Sequence, residues 1–269
     1  MDPAENIAYI RVKELVENTA EQVEMTLRQL GDVRGLILDL RDNPGGLLPS
    51  AVTVSNLFLR QGVIVSCVDR TAKRQTYEAS NEGMYSRVPM CVLVNGQTAS
   101  AAEIVAGALA MHGRAALVGT RTRGKGCVQT PLALPGNMGQ VNLTTAEYFL
   151  ADDTPIARRA GSDRWGIEPH ERVSLRPSEE KMLRRLYREA EVVSRRRQTT
   201  TETSRPVRQE ISFLDLLKAD AQLARAMELL SIPDAHDAAI QRAAAQRRAA
   251  AKERAKSGPA SQASETRHE

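Results

Sequence analysis

PMCVLVNGQTASAAEIVAGALAMHGRAALVG, residues 89–119, is the stretch that decides the fold. Its apolar run at 89–94 is typical of a buried strand, residues 100–112 repeat apolar side chains at helical spacing, and 115–119 is again strand-like. Two strands joined by a helix pair in parallel, because a helical crossover returns the chain to the same edge of the sheet. The alternation also occurs upstream, with strands near 7–12, 35–40 and 63–69 and helices near 18–30 and 51–60. The sequence therefore predicts an α/β fold with a largely parallel sheet.

Ser100 and Lys125 are the residues of this region best suited to chemistry. A serine hydroxyl is a poor nucleophile until a base removes its proton, and a lysine serves as that base only when its amine is neutral. Desolvation or nearby positive charge produces that neutral form. Ser100 opens the predicted helix, where free backbone N–H groups can hold a negatively charged oxygen. The pair is thus a candidate nucleophile and base.

Each residue also has an ordinary structural explanation. Ser100 and Glu103 have the spacing of a capping box, in which the serine only begins a helix. Residues 119–126, GTRTRGKG, match a phosphate-binding loop up to the last position, where Gly126 stands in place of a magnesium-binding serine or threonine. The next residues read as a strand rather than the helix that such a loop precedes. A helix cap and an exposed turn lysine stay open as alternatives to a catalytic pair.

Three blocks of the sequence, in this order and spacing, resemble the C-terminal processing peptidases, also called tail-specific proteases. They are GLILDLRDNPGGLLPSAVTVSNLFL (35–59), PMCVLVNGQTASAAEIVAGAL (89–109) and GTRTRGKGCVQTPLAL (119–134). The resemblance covers about residues 6–175. It implies a core of the crotonase/ClpP type, in which Ser100 is the nucleophile, Lys125 the general base and Gln129 the residue that orients the lysine.

Gly45 and Gly46 follow the apolar strand at 35–40 and precede a helical pattern, so they lie where functional sites gather in α/β sheets. A plain strand-to-helix turn explains such a glycine pair equally well. The resemblance implies instead that the backbone N–H of one of them and that of Ala101 form an oxyanion hole. The sequence does not decide which glycine contributes.

The resemblance thus implies a serine endopeptidase with a Ser/Lys dyad and an acyl-enzyme mechanism, acting on protein or peptide substrates near apolar C-termini. Two alternatives stay open: a catalytically silent peptidase-like binding or scaffold module, and a crotonase-like acyl-CoA enzyme. No cofactor is expected. No metal is expected either, because no cluster of side chains has ligand spacing.

Composition narrows the partners. The chain of 269 residues is 42% hydrophobic, which suffices for a core, and carries a net charge of +4. The charge is concentrated in residues 176–269, where 19 Lys and Arg face 14 Asp and Glu. The final stretch from Asp237 has no aromatic residue and little amphipathic pattern, so neither a nucleic-acid nor a membrane partner is expected for it. No stretch approaches the roughly 20 apolar residues that span a bilayer, and the oligomeric state is left open.

We expect a peptidase core over residues 1–175 and a helical extension over 176–236, with a linker near 198–209. Residues 237–269, rich in Ala and Arg, are expected to form a solvated helix followed by disorder.

Family members usually carry a PDZ-type domain before the core and are mostly exported. No PDZ domain fits before the first predicted strand, and residues 1–20 lack the pattern of a signal peptide, which would be typical of a cytoplasmic chain. A missing upstream segment would explain both observations, and the resemblance then implies the bacterial envelope or periplasm.

Overall fold

The computed structural model describes residues 6–80, 83–196 and 213–256. Five strands form an all-parallel sheet in the order β1-β2-β5-β6-β9. Their bounds are β1 Ile7–Arg11, β2 Gly35–Asp39, β5 Met90–Val94, β6 Ala116–Gly119 and β9 Glu171–Arg172. Every residue of β2, β5 and β6 is buried, which explains why these strands are continuous apolar runs rather than alternating ones. The predicted α/β class with a largely parallel sheet is confirmed.

A second sheet extends the fold beyond the prediction. It is antiparallel, with the order β4-β3-β8-β7, and its strands are β3 Val63–Asp69, β4 Arg74–Glu78, β7 Cys127–Ala133 and β8 Gln140–Phe149. In the sequence, residues 63–69 look like another strand of the parallel sheet. In the structure they form β3, which a short hairpin turn joins to β4. Such a hairpin can connect only antiparallel neighbours.

Three helices pack on one face of the parallel sheet: α1 Thr19–Leu30, α2 Leu48–Asn56 and α3 Ala101–Met111. Apart from Glu103, helix α3 is apolar on all sides, and nearly every residue in it is buried, since it lies between the two sheets. Its first turn starts at the carboxyl edge of β5, so the fold delivers Ser100 to that edge.

The C-terminal helices are α4 Pro177–Arg196, α5 Phe213–Ala219, α6 Ala221–Ser231 and α7 Ala235–Lys256. Helix α6 covers the other face of the parallel sheet, where Leu223 and Leu229 pack against Ile37 and Cys91. Because the sheet would otherwise expose that apolar face, the expected boundary at residue 175 does not separate two independent cores.

The expectation of a solvated helix from residue 237 is wrong for the first turns of α7. Ala239 and Ile240 are buried in the same cluster as α6, and Ala243 is buried as well. The buried face of α7 consists of few and mostly small apolar residues. The sequence therefore shows little amphipathic pattern, even though this face is covered. The predicted linker near 198–209 lies outside the described residues. The tail is described only as far as Lys256, so the disorder expected after the helix also lies outside them.

No helix within the described ranges has both the length and the apolar character needed to cross a membrane. The three cysteines, Cys67, Cys91 and Cys127, are free thiols, in agreement with their odd number.

Candidate active site

Ser100 lies in a sharp turn between β5 and α3. Its backbone has φ 55° and ψ −124°, a region that non-glycine residues rarely occupy. Holding a residue there costs about 1–3 kcal/mol, so the surroundings must enforce it. The backbone N–H of Ala99 donates to the carbonyl of Asn43 at 2.9 Å, which ties this turn to the Gly45 loop. The turn presents a half-buried serine at the carboxyl edge of the sheet.

Glu103 connects the two candidate catalytic residues. Its Oε2 accepts hydrogen bonds from the backbone N–H of Ser100 at 2.9 Å and from that of Lys125 at 2.8 Å. Since both nitrogens bond to one oxygen, they lie within about 6 Å of each other. Its other oxygen, Oε1, accepts from the Gly124 N–H at 2.7 Å and from the Thr122 hydroxyl. One carboxylate therefore fastens the lysine turn to the start of the serine helix.

The Glu103 side chain is completely buried, which is rare for a glutamate and stable only with hydrogen-bond partners. Burial raises the pKa of Glu103 above its ordinary value, while the hydrogen bonds from Thr122, Gly124, Lys125 and Ser100 act in the opposite direction. All four partners donate to the carboxylate, as an ionised form requires. The Glu103 carboxylate thus accepts the capping-box hydrogen bond predicted from the Ser100 N–H. The same carboxylate also accepts from the N–H of Lys125.

Gly45 approaches the serine more closely than any other residue type could. A Cβ built on Gly45 would lie 2.8 Å from the Cβ of Ser100 and 3.0 Å from the backbone nitrogen of Ala101. Its φ of 109° is also unfavourable for side chains. Gly45 is therefore placed against the Ser100 turn and the first N–H of α3.

The N–H groups of the two glycines differ. The Gly45 N–H donates to the Asn43 Oδ1 at 2.8 Å. Leu15 bonds to the carbonyl of Gly45 and to the N–H of Leu47, on either side of Gly46, so the Gly46 N–H faces away from Leu15. Gly46 is thus the glycine whose N–H is left out of this local bonding. Ala101 is the first residue of α3, where no intrahelical acceptor exists for its N–H.

Lys125 is held through its backbone, whereas its side chain is exposed. The loop at 156–166 also packs against the turn that holds Lys125. A Cβ on Gly126 would lie 2.1 Å from the backbone nitrogen of Ala157, so only glycine allows this approach. The Arg158 N–H donates to the carbonyl of Gly124 at 2.9 Å. The lysine turn is thus held both by Glu103 and by this loop, while the Lys125 side chain is exposed.

Gln129 lies in β7, where the pairing with β8 shifts register between Val128 and Gln129. Its side chain is exposed, and the structure records no contact between Gln129 and Lys125 in the part of the chain that it describes. The four-residue separation corresponds to at most about 14 Å of extended chain. The structure therefore places Gln129 on the same strand segment as the lysine without joining the two side chains.

The described histidines lie away from Ser100. Their ring nitrogens hydrogen-bond backbone groups of strand residues: Val63 for His112, Leu117 for His170 and Met90 for His236. Burial lowers the pKa of His170 to about 4. His268 is outside the described residues. No described histidine is placed to act as the base of a Ser-His-Asp triad.

A buried charge cluster supports the loop that carries the glycine pair. Arg41 makes two short hydrogen bonds to Asp39, at 2.9 and 2.6 Å, and an ion pair of 2.7 Å with Asp220 at the start of α6. Gln222 and the Tyr187 hydroxyl also accept from it. Burial alone would raise the pKa of Asp39, but its attraction to Arg41 and the hydrogen bonds hold it below the ordinary value. The cluster joins the C-terminal helices to the DLRDNPGG loop.

Comparison with known proteins adds to this geometry. The model of peptidase family S41 matches residues 6–173. The chain is 39% identical over 158 residues to the carboxy-terminal-processing protease of Bartonella bacilliformis, covering 56% of this chain and 36% of that protein. It is 39% identical over 173 residues to the carboxyl-terminal-processing protease of Synechocystis sp., covering 64% and 39%. A solved photosystem II D1 C-terminal processing protease aligns with a TM-score of 0.55 and 34% identity, over 62% of this chain and 42% of that one.

The parallel sheet, the serine turn at its carboxyl edge and the lysine turn bonded to the same carboxylate define an α/β core of the serine-peptidase class. The chain belongs to peptidase family S41. The resemblance to C-terminal processing peptidases predicted from the three sequence blocks is confirmed. The chain spans less than half the length of the curated relatives it matches.

Two features of the site were not predicted. Glu103 stood out only as a capping residue, although it is the one charged side chain in an otherwise apolar helix, a signal for a buried polar role. The Arg41 cluster was missed because its partner Asp220 lies far along the chain. The available signal was Asp39 at the end of a fully apolar strand, since a buried carboxylate requires a partner.

Proposed function

We propose that this chain is the catalytic part of a serine endopeptidase in which Ser100 attacks the peptide carbonyl and Lys125 accepts its proton. The observation that carries the proposal is the bonding of both backbone N–H groups to one oxygen of Glu103. Lysine has a flexible four-carbon side chain, long enough to cross the short distance between the two segments. If Ser100 were only a helix cap and Lys125 only a turn residue, their backbones would not need to bond to the same buried carboxylate.

In the proposed reaction the neutral Lys125 amine takes the Ser100 hydroxyl proton as the oxygen bonds to the carbonyl carbon. The tetrahedral anion is stabilised by the N–H of Ala101 and one from the glycine pair, and Gly46 has the less occupied N–H. The ammonium then protonates the leaving amine as the peptide C–N bond breaks. Water attacks the acyl-enzyme with the lysine again as base, which restores the serine.

Lys125 is exposed, so the described residues alone do not shield its amine from water. An exposed amine is well solvated, whereas a general base must be neutral at working pH. We propose that a bound peptide excludes water from the lysine and that Gln129, on the adjoining strand, orients the amine once the peptide is in place. The same exposure is the observation that favours the alternative of a catalytically silent binding module.

The relatives carry names that refer to C-terminal processing, and we propose protein substrates cut near apolar C-termini. The envelope or periplasm is the proposed location, on the family resemblance alone. Peptide hydrolysis by the dyad requires no metal or cofactor.

Turnover of casein by purified protein tests the proposal. We expect Ser100→Ala and Lys125→Ala each to lower kcat by roughly 10⁴-fold or more, because members of a catalytic unit fail together. Lys73→Ala, in the exposed β3–β4 turn, serves as the control and should retain full activity. Activity in either site variant would contradict the dyad, and an inactive unsubstituted chain would support the silent module.

A further inference from the structure

Strands β7 and β8 extend as a two-stranded ribbon beyond the rest of the antiparallel sheet. Strand β3 pairs with β8 only from Ala146 to Phe149, whereas residues 140–144 pair only with residues 129–133 within the described chain. Every residue of these two segments, which we call the β7–β8 ribbon, is exposed. A two-stranded ribbon is marginally stable in water unless a further strand or a packed layer supports it. The described residues leave this ribbon without such a layer.

The two faces of the ribbon differ in character. Leu132 lies opposite Val141, and Thr130 lies opposite Leu143. Directly opposed residues and residues two apart on a strand project from the same face, so these four side chains form one surface. Leu132 is 55% exposed, Leu143 47% and Val141 40%. The other face carries polar and small side chains: Gln129, Pro131, Ala133, Gln140, Asn142 and Thr144. The ribbon is therefore amphipathic, and its apolar face lies in solvent.

The ribbon and its turn carry no charge. Residues 128–146, VQTPLALPGNMGQVNLTTA, contain no Asp, Glu, Lys, Arg or His, although charged residues make up 26% of the chain. Proteins usually protect exposed strands from association by placing charged side chains on them. The cores of protein interfaces, in contrast, are depleted of charge. This exposed segment therefore has the composition of a contact surface.

The free edge of β7 is less suited to a partner than the apolar face. Pro131 has no N–H to donate to an added strand, and the register shift between Val128 and Gln129 interrupts the regular edge. Both features are known to oppose edge-to-edge strand pairing. A partner is therefore expected on the face that carries Leu132.

Neither a substrate peptide nor a lipid surface fits this face well. Gln129, the proposed orienting residue for Lys125, lies on the opposite face of the ribbon, so a peptide held over it would leave Leu132 exposed. Residues 128–146 also contain no aromatic or basic residue, and these are the residues that hold proteins at membrane interfaces. The expected partner is thus an uncharged, apolar protein surface.

The ribbon of a second copy has these properties. Two ribbons stacked face to face about a two-fold axis would form a small sandwich with its layers about 10 Å apart. Residues near such an axis meet their own equivalents, so a charged surface would bring like charges together, whereas this one brings none. Ten large apolar side chains of the described residues are exposed, and four of them belong to the ribbon and its turn: Leu132, Met138, Val141 and Leu143. The other six are scattered along the chain.

We propose that the chain forms a two-fold dimer through the apolar faces of two β7–β8 ribbons. The contact is small compared with the roughly 1,200–2,000 Å² that stable interfaces bury, so we expect a dissociation constant of about 1–100 μM. Because β7 begins two residues after Lys125, the second copy would also lie near the candidate base. The association goes beyond the proposed peptidase function and does not depend on it.

Sedimentation velocity of the full chain over roughly 1–200 μM tests the proposal, and we expect a monomer–dimer equilibrium. Leu143→Lys puts a charge into the contact and should weaken dimerisation at least about tenfold. Asn142→Lys, at the next position and on the polar face, is the matched control and should dimerise normally. A monomer at every concentration, or equal loss of dimer in both variants, would overturn the proposal.

A mixing experiment shows whether the partner is the same face of a second copy. Leu143→Lys and Leu143→Glu should each be monomeric, and their equimolar mixture should dimerise again because opposite charges then share the small interface. Recovery in the mixture would also show that both variants are folded. No recovery would contradict ribbon-to-ribbon contact. A monomeric unsubstituted chain whose KM for casein rises in Leu143→Lys would assign the face to substrate instead and overturn the dimer.

Discussion

The two sides of the candidate active site are constructed differently. On the serine side, the Ser100 turn, Gly45 and Glu103 are surrounded by buried groups, and the Arg41 cluster supports the loop from below. On the lysine side, Lys125, in the turn before β7, and Gln129, on that edge strand, are both exposed. The difference shows that the Ser100 turn is held by the core, whereas the Lys125 side chain depends for its surroundings on what covers the exposed β7 strand.

Glu103 is the point where the two sides meet, and its substitution should have the largest effect among the supporting residues. Glu103→Gln keeps the shape but replaces one accepting oxygen by an NH₂ group, which cannot accept from the N–H of Lys125 or Ser100. We expect kcat to fall about 100-fold with a smaller change in KM, as a misplaced base produces. The measurement is casein or peptide turnover.

A matched control is Glu21→Gln, in the exposed first turn of α1, which should leave turnover unchanged. If Glu103→Gln retained normal kcat, the two sides would not be coupled through this carboxylate.

Arg41 tests how far the serine side depends on its buried support. Arg41→Met leaves the buried Asp39 and Asp220 without their shared counter-ion, and breaking such a pair typically costs about 3–5 kcal/mol. We expect that loss in the free energy of unfolding at pH 7, measured by urea denaturation. Arg185→Met, on the exposed face of α4, should change it by less than about 0.5 kcal/mol.

The same pair gives a prediction on pH. In the unsubstituted chain the pKa of Asp39 lies below its ordinary value near 3.8, so its stabilising contribution is present above that pH and is lost on acidification below it. Without Arg41, burial would instead raise that pKa and penalise the charged form. The stability difference between the two proteins should therefore shrink between pH 7 and 3. A constant difference would mean that Asp39 is not the linked group.

Gln129 probes the lysine side and should give the smallest effect. Because its side chain is exposed and β7 lies at the sheet edge, Gln129→Ala should lower kcat about threefold to tenfold and leave the melting temperature unchanged. Thr130→Ala, at the next position of the same strand, is the control. A loss as large as that of Glu103→Gln would show that the base side is organised more tightly than the described contacts indicate.

Sequence patterns predicted the parallel sheet well because strands buried on both faces are continuous apolar runs, as in MCVLV at 90–94. The candidate pair Ser100 and Lys125 also followed from local motifs and from resemblance. The antiparallel pairing of β3 with β8 and the packing of α7 were harder to foresee, since both depend on contacts between segments distant in sequence. Glu103 combined a local pattern, the capping box, with a tertiary role that only the fold reveals.

Reaction of Ser100 with a serine-directed phosphonate, followed by mass spectrometry, tests the central claim most directly. We expect labelling at Ser100 in the unsubstituted chain and in Lys73→Ala. We also expect the labelling rate to be at least about 100-fold lower in Lys125→Ala, because the hydroxyl then lacks its base. Labelling of Ser100 at the same rate with and without the Lys125 amine, or no labelling of Ser100 at all, would contradict it.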